Sequence, residues 1–410
     1  MYDVVIIGGG PAGMMASGRA AERGRSVLLL EKNATLGKKL LITGGGRCNL
    51  TNNKLVTREL LLKYKKSDQF LASAFSQFNV KDTLEFFNMR GMKTKEENEG
   101  RVFPVSDSSK SVLDVLVKYL KDGGVKIQTG VEISNLGIEP KTNNIIVLTT
   151  NGKKIIAKSC VVATGGTSRP DTGSTGDGFK WLKKLDINIV ENDFALVPVA
   201  VSDKWIRKLS GTTIDNIKIT MYQNGQKQNK SFGKILFTHF GISGPTVLNI
   251  SSEIGELLKH GDVLLEIDVF PKTDLSELRK MLQKILLENN NKKIKNVIGA
   301  VVNAKLGEVL LELCNINNDT FCHSVSSEKR KKLTKLMKSI PLHVSHLLGA
   351  DKAIVSSGGA NLEEIDFKTM QLRKIPNIYL VGDVLNVNRP SGGYSLQLCW
   401  TTGFVAGNNC

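Results

Sequence analysis

Three glycines and one carboxylate near the start of the chain are spaced for phosphate and ribose recognition. Gly8, Gly10 and Gly13 form GxGxxG, with Pro11 and Ala12 between the last two, and Glu31 stands eighteen residues beyond Gly13. In such a turn the first glycine permits the tight bend and the second lets the backbone approach a pyrophosphate. The third allows close helix packing, while the helix N-terminus offers amide donors to the phosphates. An acid at the end of the following strand accepts hydrogen bonds from a ribose, which is the role expected of Glu31. A second glycine-rich run, Thr43-Gly44-Gly45-Gly46-Arg47-Cys48-Asn49, is too flexible for a regular element and reads as a loop lying against something.

The elements around the first motif suit it. Asp3 to Ile7 is an apolar strand, Met14 to Arg23 reads as a helix closed by Gly24, and Val27 to Leu30 is a second strand. That βαβ opening implies a parallel sheet buried on both faces. Helical periodicity returns at Leu71 to Met89 and at Ser111 to Leu120, the latter stopped by Gly123-Gly124. Strands follow at Val125-Ile127, Val131-Ile133, Ile145-Thr149, Lys154-Ala157 and Cys160-Ala163, the last running into Thr164-Gly165-Gly166. From Leu196 to Phe270 the spacing is that of short strands with hairpin turns, and from Ser276 to Ile340 it turns helical. Asn377 to Val381 is again a buried type of strand, ending in Gly382-Asp383, and a last helix begins near Gly393. The expected fold is α/β, a doubly wound Rossmann-like domain from residues 1–195 and 351–410. An inserted β domain at 196–275 and a helical insert at 276–350 interrupt it.

GxGxxG alone does not separate FAD from NAD, since both carry the same ADP half. A second fingerprint after a strand, which a separate nicotinamide domain needs, is absent: Gly173 to Gly178 has the wrong spacing and no strand before it. One nucleotide domain at the N-terminus with Gly382-Asp383 after a late strand suits a tightly held FAD. Asp383 is then placed to bond ribityl hydroxyls, with the next helix N-terminus facing the flavin ring.

Composition bounds the rest. With 41% hydrophobic and 23% charged residues over 410 positions, the chain is that of a multidomain globular protein, and it holds no apolar run of the ~18 residues a membrane span requires. Met1 leads almost at once into the first strand, without the features of a signal peptide, so a cytoplasmic protein with no membrane partner is expected. The cysteines Cys48, Cys160, Cys314, Cys322, Cys399 and Cys410 lack metal-site spacing, and His343 and His346 have no partner that completes one, so no metal is expected. The formal net charge is +17, and the excess is concentrated: residues 276–340 hold 13 Lys and Arg against 6 Asp and Glu, whereas 196–275 hold 9 against 8. The stretch Glu328 to Ile340 sets Leu333, Leu336, Met337 and Ile340 on one face and Lys329, Arg330, Lys331, Lys332, Lys335 and Lys338 mostly elsewhere, a basic amphipathic helix.

Several of these runs together resemble the YhiN-like, or BaiN/RdsA, flavoprotein family over essentially the whole chain. They are Gly8-Gly9-Gly10-Pro11-Ala12-Gly13, Gly37-Lys38-Lys39 through Asn49, and Ala163-Thr164-Gly165-Gly166. Phe237-Thr238-His239-Phe240-Gly241-Ile242-Ser243-Gly244-Pro245 and Gly392-Gly393-Tyr394-Ser395-Leu396-Gln397 complete the set. The resemblance implies an FAD domain built from both chain ends, interrupted by an inserted β-barrel-like domain and a small helical subdomain. It implies that Gly10, Ala12, Gly13, Glu31 and Lys32 hold the ADP half, that Ile133 touches adenine and that Gly44, Gly45 and Gly46 line the flavin side. Asp383 and Gly393 complete the cofactor set, and Gly8, Pro11, Lys39, Asn49, Ala163, Thr164, Gly165, Gly382, Tyr394 and Ser395 belong to the same motifs. Arg47 and Cys48 fall beside the isoalloxazine. Two positions depart from the pattern: Gly382-Asp383 stands where many relatives have Gly-Glu, and Ser395 where Asn is common.

The chemistry expected is that of a flavin reductase in which NAD(P)H binds transiently, reduces FAD and gives way to an oxidised substrate with a C=C bond. Cys48 or His239, with Arg47 nearby, is the candidate source of the second proton. The resemblance implies substrates from unsaturated steroid ketones to a uridine of large-subunit ribosomal RNA, and amine oxidation is also attached to relatives. A small-metabolite enzyme gains little from a basic insert, whereas an enzyme of ribosomal RNA uses one for phosphate contacts, so RNA docking on residues 276–340 is favoured. That stretch has Phe321 as its one aromatic for base stacking. The rivals are a small-molecule reductase or oxidase and a non-catalytic, flavin-binding RNA-associated protein.

Overall fold

The protein is described from a computed structural model that covers residues 1–190, 194–349, 355–356 and 358–410. The boundary expected at 350 and 351 lies outside these described residues. The chain divides into two compact units, Met1–Phe194 with Ala350–Cys410, and Ala195–Gly349.

In the first unit, Tyr2–Ile7 is the centre of a seven-stranded sheet. It pairs in parallel with Val27–Glu31 on one side and with Lys154–Val162 on the other. Lys126–Thr129 extends the parallel part beyond Val27–Glu31, and Ile378–Leu380, more than 200 positions later in the chain, pairs in parallel with Lys154–Val162. The strand Lys154–Val162 joins two segments that the sequence separates at Lys158 and Ser159. Its first half instead pairs antiparallel with Ile145–Thr149, which leads on to Ile133–Ile138. Val4, Val5 and Ile6, Leu28 and Leu29, and Val161 and Val162 are buried, which is why these strands read as continuous apolar runs.

Both chain ends meet in one helix pair. Pro11–Glu22 begins with proline in its first turn, where the ring's fixed φ is already helical and the missing N–H costs no bond. Tyr394–Asn409 packs along it through Gly403 and Gly407, whose absent Cβ atoms would stand 2.5 Å from the carbonyl oxygens of Ala12 and Ala16. Only glycine at both positions lets the two backbones approach this closely.

The second unit holds a closed six-stranded antiparallel barrel: Val199–Val201, Gly241–Ser243, Gln226–Phe237, Thr213–Gln223, Val263–Asp268 and Ile340–Leu347, the last returning to the first. Helices Leu275–Glu288, Ile294–Ile298, Ala304–Leu313 and Ser327–Lys338 follow. Ile219 and Leu265 of the barrel and Leu278, Leu310 and Leu333 of the helices share one apolar core. The boundary expected between 275 and 276 therefore falls inside a packed body, because the helices have no separate core of their own.

Two further elements differ from expectation. Pro245–Leu258 is a helix within the stretch read as strands, and it buries Val247, Ile250, Ser251 and Ile254 at helical spacing. The helix expected over Leu71 to Met89 is two, Asp68–Gln77 and Val80–Met89. A capping box separates them: Asn79 Oδ1 accepts from Lys81 N at 2.8 Å and Asp82 N at 3.3 Å, and Asp82 Oδ2 accepts from Asn79 N at 2.7 Å. Among the described residues no helix is long and apolar enough to cross a membrane.

Candidate functional site

The glycine turn has the steric logic expected of it. Gly8 has φ +110° and donates its N–H to Leu30 O at 2.8 Å, and a Cβ there would run into Ala163 O. A Cβ on Gly13 would collide with Gly8 O, so Gly13 packs the helix onto the turn from beneath. Gly10 is different: no atom lies within 4 Å of where its Cβ would be, and it borders an open cleft.

Glu31, at the end of its strand, is buried, and its carboxylate is held by local donors. Oε2 accepts from Gly9 N at 2.6 Å, and Oε1 accepts from Asn33 N at 2.8 Å and Asn33 Nδ2 at 2.7 Å. The acid thus ties the turn to the second strand, and its remaining lone pairs face the same cleft. Opposite, Lys32 Nζ bonds Asp177 Oδ2 at 2.8 Å. Partial burial pushes the Asp177 carboxyl up, but its hydrogen bonds from Lys32 and Thr175 outweigh that and hold it at about 2.

The far end of the cleft is built on Asp383. Gly382 has φ +65° and donates to Thr402 Oγ1 at 3.0 Å, fixing the turn against the terminal helix. Asp383 pairs with Arg389 and, at 3.4 Å, with Lys39 Nζ, which also donates to Ser168 Oγ at 2.6 Å. The Arg389 side chain is 1% exposed, donates to Val387 O at 2.7 Å and reaches Ser395 Oγ at 3.1 Å. Burial drives the Asp383 carboxyl up, and the positive charges of Arg389 and Lys39 overcome it, holding the group below the usual carboxylate range. The Oγ1 of Thr164, packed against Gly178, is buried without a hydrogen-bond partner.

Of the expected cofactor residues, Gly8, Gly10, Pro11, Ala12, Glu31, Lys32, Lys39, Ile133, Ala163, Thr164, Gly165, Gly382, Asp383 and Ser395 line this cleft. Others lie outside its wall. Gly44, Gly45 and Gly46 have φ of +58°, +68° and +87°, and the first two are exposed. Arg47, expected beside the flavin ring, stacks 4.3 Å over Phe103 and pairs with Glu97 and Asp107. Cys48 turns into the core, where burial pushes its thiol up to about 12, while Asn49 and Gly393 meet through the Asn49 amide and Gly393 N at 3.0 Å. Tyr394 is a core residue whose carbonyl accepts from the Tyr64 hydroxyl at 2.9 Å. His239 lies in the second unit, exposed, its ring edge-on to Phe240 at 4.9 Å.

Several cleft residues have no signature in the sequence. Gly173, Ser174 and Asp177 form one wall, so the run whose spacing is wrong for a second fingerprint serves the first cleft. Asn33 and Trp181 join them, and Arg389 escapes sequence reasoning because a lone arginine in a loop has no periodicity to betray burial.

These residues fit a flavin dinucleotide. Open space over Gly10 admits a pyrophosphate at a helix start with no acid in its first turn. Comparison with known proteins agrees. A family profile described as the HI0933-like protein Rossmann domain matches residues 2–409. The 3-dehydro-bile acid delta(4,6)-reductase of Clostridium scindens is 30% identical over 410 residues, covering 99% of this chain and 98% of its own. The ribosomal RNA dihydrouridine synthase of Escherichia coli K12 is 30% identical over 409 residues, covering 98% and 96%. Among solved structures, the 3-ketosteroid delta1-dehydrogenase from Sterolibacterium denitrificans shares the fold with a TM-score of 0.56 at 13% identity, covering 99% of this chain and 98% of that one.

Proposed function

This chain belongs to the HI0933-like family and is an FAD-dependent oxidoreductase, and from that premise we propose that it reduces the C=C bond of a uridine in large-subunit ribosomal RNA, with NAD(P)H as a transient electron donor. When bound, FAD supplies two-electron hydride chemistry. The chain's own residues bind and orient. The Gly8–Gly13 turn and its helix would take the pyrophosphate, Glu31 the ribose, and Asp383, kept ionised by Arg389 and Lys39, the ribityl hydroxyls.

The observation that carries the RNA reading is the outer half of the Ser327–Lys338 helix. Lys329, Lys331, Lys332 and Lys335 are exposed there, and among the described residues none pairs with a carboxylate. Arg330 and Lys338 turn inward instead, to Val325 O and to Asp268, so the free cations are segregated from the structural ones. Uncompensated lysines on one helix face are a phosphate-binding surface. The test is a map of dihydrouridine in ribosomal RNA from cells lacking this gene. One large-subunit dihydrouridine should vanish, and an unchanged pattern removes the reading.

A second reading, reduction of an unsaturated ketone in a small metabolite, is favoured by the Clostridium scindens relative, which matches at the same identity. Turnover of a 4-ene-3-ketosteroid with NADPH by the purified flavoprotein, together with unaltered ribosomal RNA, would select it.

Proton delivery separates the two candidate acids. The Cys48 thiol stays protonated at neutral pH but is 0% exposed, so we assign it to packing behind the glycine loop. Cys48→Ala should keep its flavin and turn over within a few-fold of wild type. A loss of about 100-fold or more, the scale of general acid catalysis, would return Cys48 to the chemistry. His239, exposed in the second unit, is then the remaining candidate.

A further inference from the structure

Resting on the ribosomal-RNA reading, we infer that Phe321 and His323 form a stacking platform for an unpaired base of an RNA loop. Phe321 is 45% exposed, while Cys322 beside it is buried and anchors the segment in the core. The Phe321 and His323 rings are stacked, 9° from parallel with centroids 5.7 Å apart, and both residues are exposed. The backbone beneath is clamped: Cys322 N donates to Lys292 O at 3.0 Å, His323 N to Asn290 O at 3.2 Å and Ile294 N to Thr320 O at 2.8 Å. His323 Nδ1 lies 2.8 Å from the same Asn290 carbonyl, which can only accept, so Nδ1 carries the proton and Nε2 of the neutral ring is left as an acceptor. The platform is therefore ordered before anything binds, which lowers the entropy lost on docking.

Its surroundings are those a nucleic acid backbone requires. Lys292 is exposed, and among the described residues it has no carboxylate partner. Lys293 and Lys295 share Asp319 at 2.9 and 3.0 Å. The Ser327–Lys338 helix starts four residues after His323, with Lys329, Lys331 and Lys332 in its first turns. Flat aromatic faces among cations match single-stranded RNA, whose bases stack while its phosphates find charge. A duplex keeps its bases paired and stacked internally and has no use for such faces.

The test uses the FAD-loaded full chain and fluorescence anisotropy with a fluorescein-labelled uridine 12-mer and an RNA duplex of the same length. Phe321→Ala and His323→Ala should each weaken single-strand binding about tenfold, with the salt slope and duplex binding unchanged. Phe321→Trp should bind at least as well as wild type, a result that loss of folding does not produce. Replacing Lys329, Lys331, Lys332 and Lys335 together by Gln should weaken both RNAs and flatten the salt slope by about 0.7 for each single-strand phosphate left without its lysine. Flavin content per chain reports folding throughout. If the alanine variants match wild type while the lysine variant weakens, the platform is wrong and the RNA reading stands. Equal weakening toward single strand and duplex also overturns it, as does displacement of the 12-mer by polyglutamate at equal charge, which marks a surface for acidic protein. Should wild type bind neither RNA, both inferences fall.

Discussion

Gly13→Ala should purify without flavin and melt far below wild type. The added Cβ would occupy the space of Gly8 O, a backbone atom that cannot rotate away, and would press on the Ala163 side chain at 3.2 Å. Nor can the helix retreat, since Gly403 already brings the terminal helix against Ala12 O from another side. Overpacking of well-filled sites costs about 1–3 kcal/mol, and a clash with immovable backbone belongs at the top of that range or beyond. Gly10→Ala is the informative contrast, because its Cβ meets nothing and projects over open cleft. That variant should melt like wild type in the absence of cofactor yet retain little FAD. Melting temperature and visible absorbance per chain, measured together, check both, and a fully yellow Gly13→Ala protein would contradict the packing described.

The second large effect concerns Arg389. Arg389→Met removes the principal counter-charge of Asp383 and leaves Lys39 Nζ, 3.4 Å away, as its nearest cation. Stripping one partner from a buried ion pair costs about 3–5 kcal/mol. Asp383→Asn orphans the guanidinium in its turn, so the double variant should be less destabilised than the two single losses added together. The pH dependence follows from the direction of the shift. Because the folded Asp383 carboxyl is held down, its stabilising effect is fully present above the ordinary carboxyl value of about 3.9 and fades as pH falls through the lower folded value. In Arg389→Met burial acts with less opposition, the carboxyl rises, and acid sensitivity should move toward neutral pH. Melting curves across pH for the flavin-free proteins would show it, and superimposable profiles for variant and wild type would rule it out.

What the sequence disclosed follows a pattern. A glycine turn between a strand and a helix, closed by Glu31, is legible because each level supports the others: apolar run, turn chemistry, helical period, acid at the right interval. The inserted strands are legible in their hairpin spacing, whereas their closure into a barrel is not and comes from the resemblance alone. The Pro245–Leu258 helix is masked by the strands around it, which dominate the window, although Gly244-Pro245 and the spacing of Val247, Ile250 and Ile254 announce it. The break at Asn79 is equally announced by the acid three residues on. By contrast, no local pattern tells that Arg389 is buried or that Asp177 faces Lys32, since both facts are set by segments more than a hundred positions away or by a turn that only the folded chain defines. The stacked Phe321 and His323 belong with these, for sequence names two residues and only the fold makes their rings parallel.

The seam in which Gly403 and Gly407 meet Ala12 and Ala16 has a consequence for biosynthesis. In the nascent polypeptide the phosphate-binding turn at Gly8–Gly13 precedes the helix that braces it, Tyr394–Asn409, by 381 positions (394 − 13). At the ~5–20 residues per second of translation, the Pro11–Glu22 helix waits roughly 20–80 s with its small-residue groove uncovered. Tight retention of the flavin is therefore expected only after Tyr394–Asn409 has been made and packed.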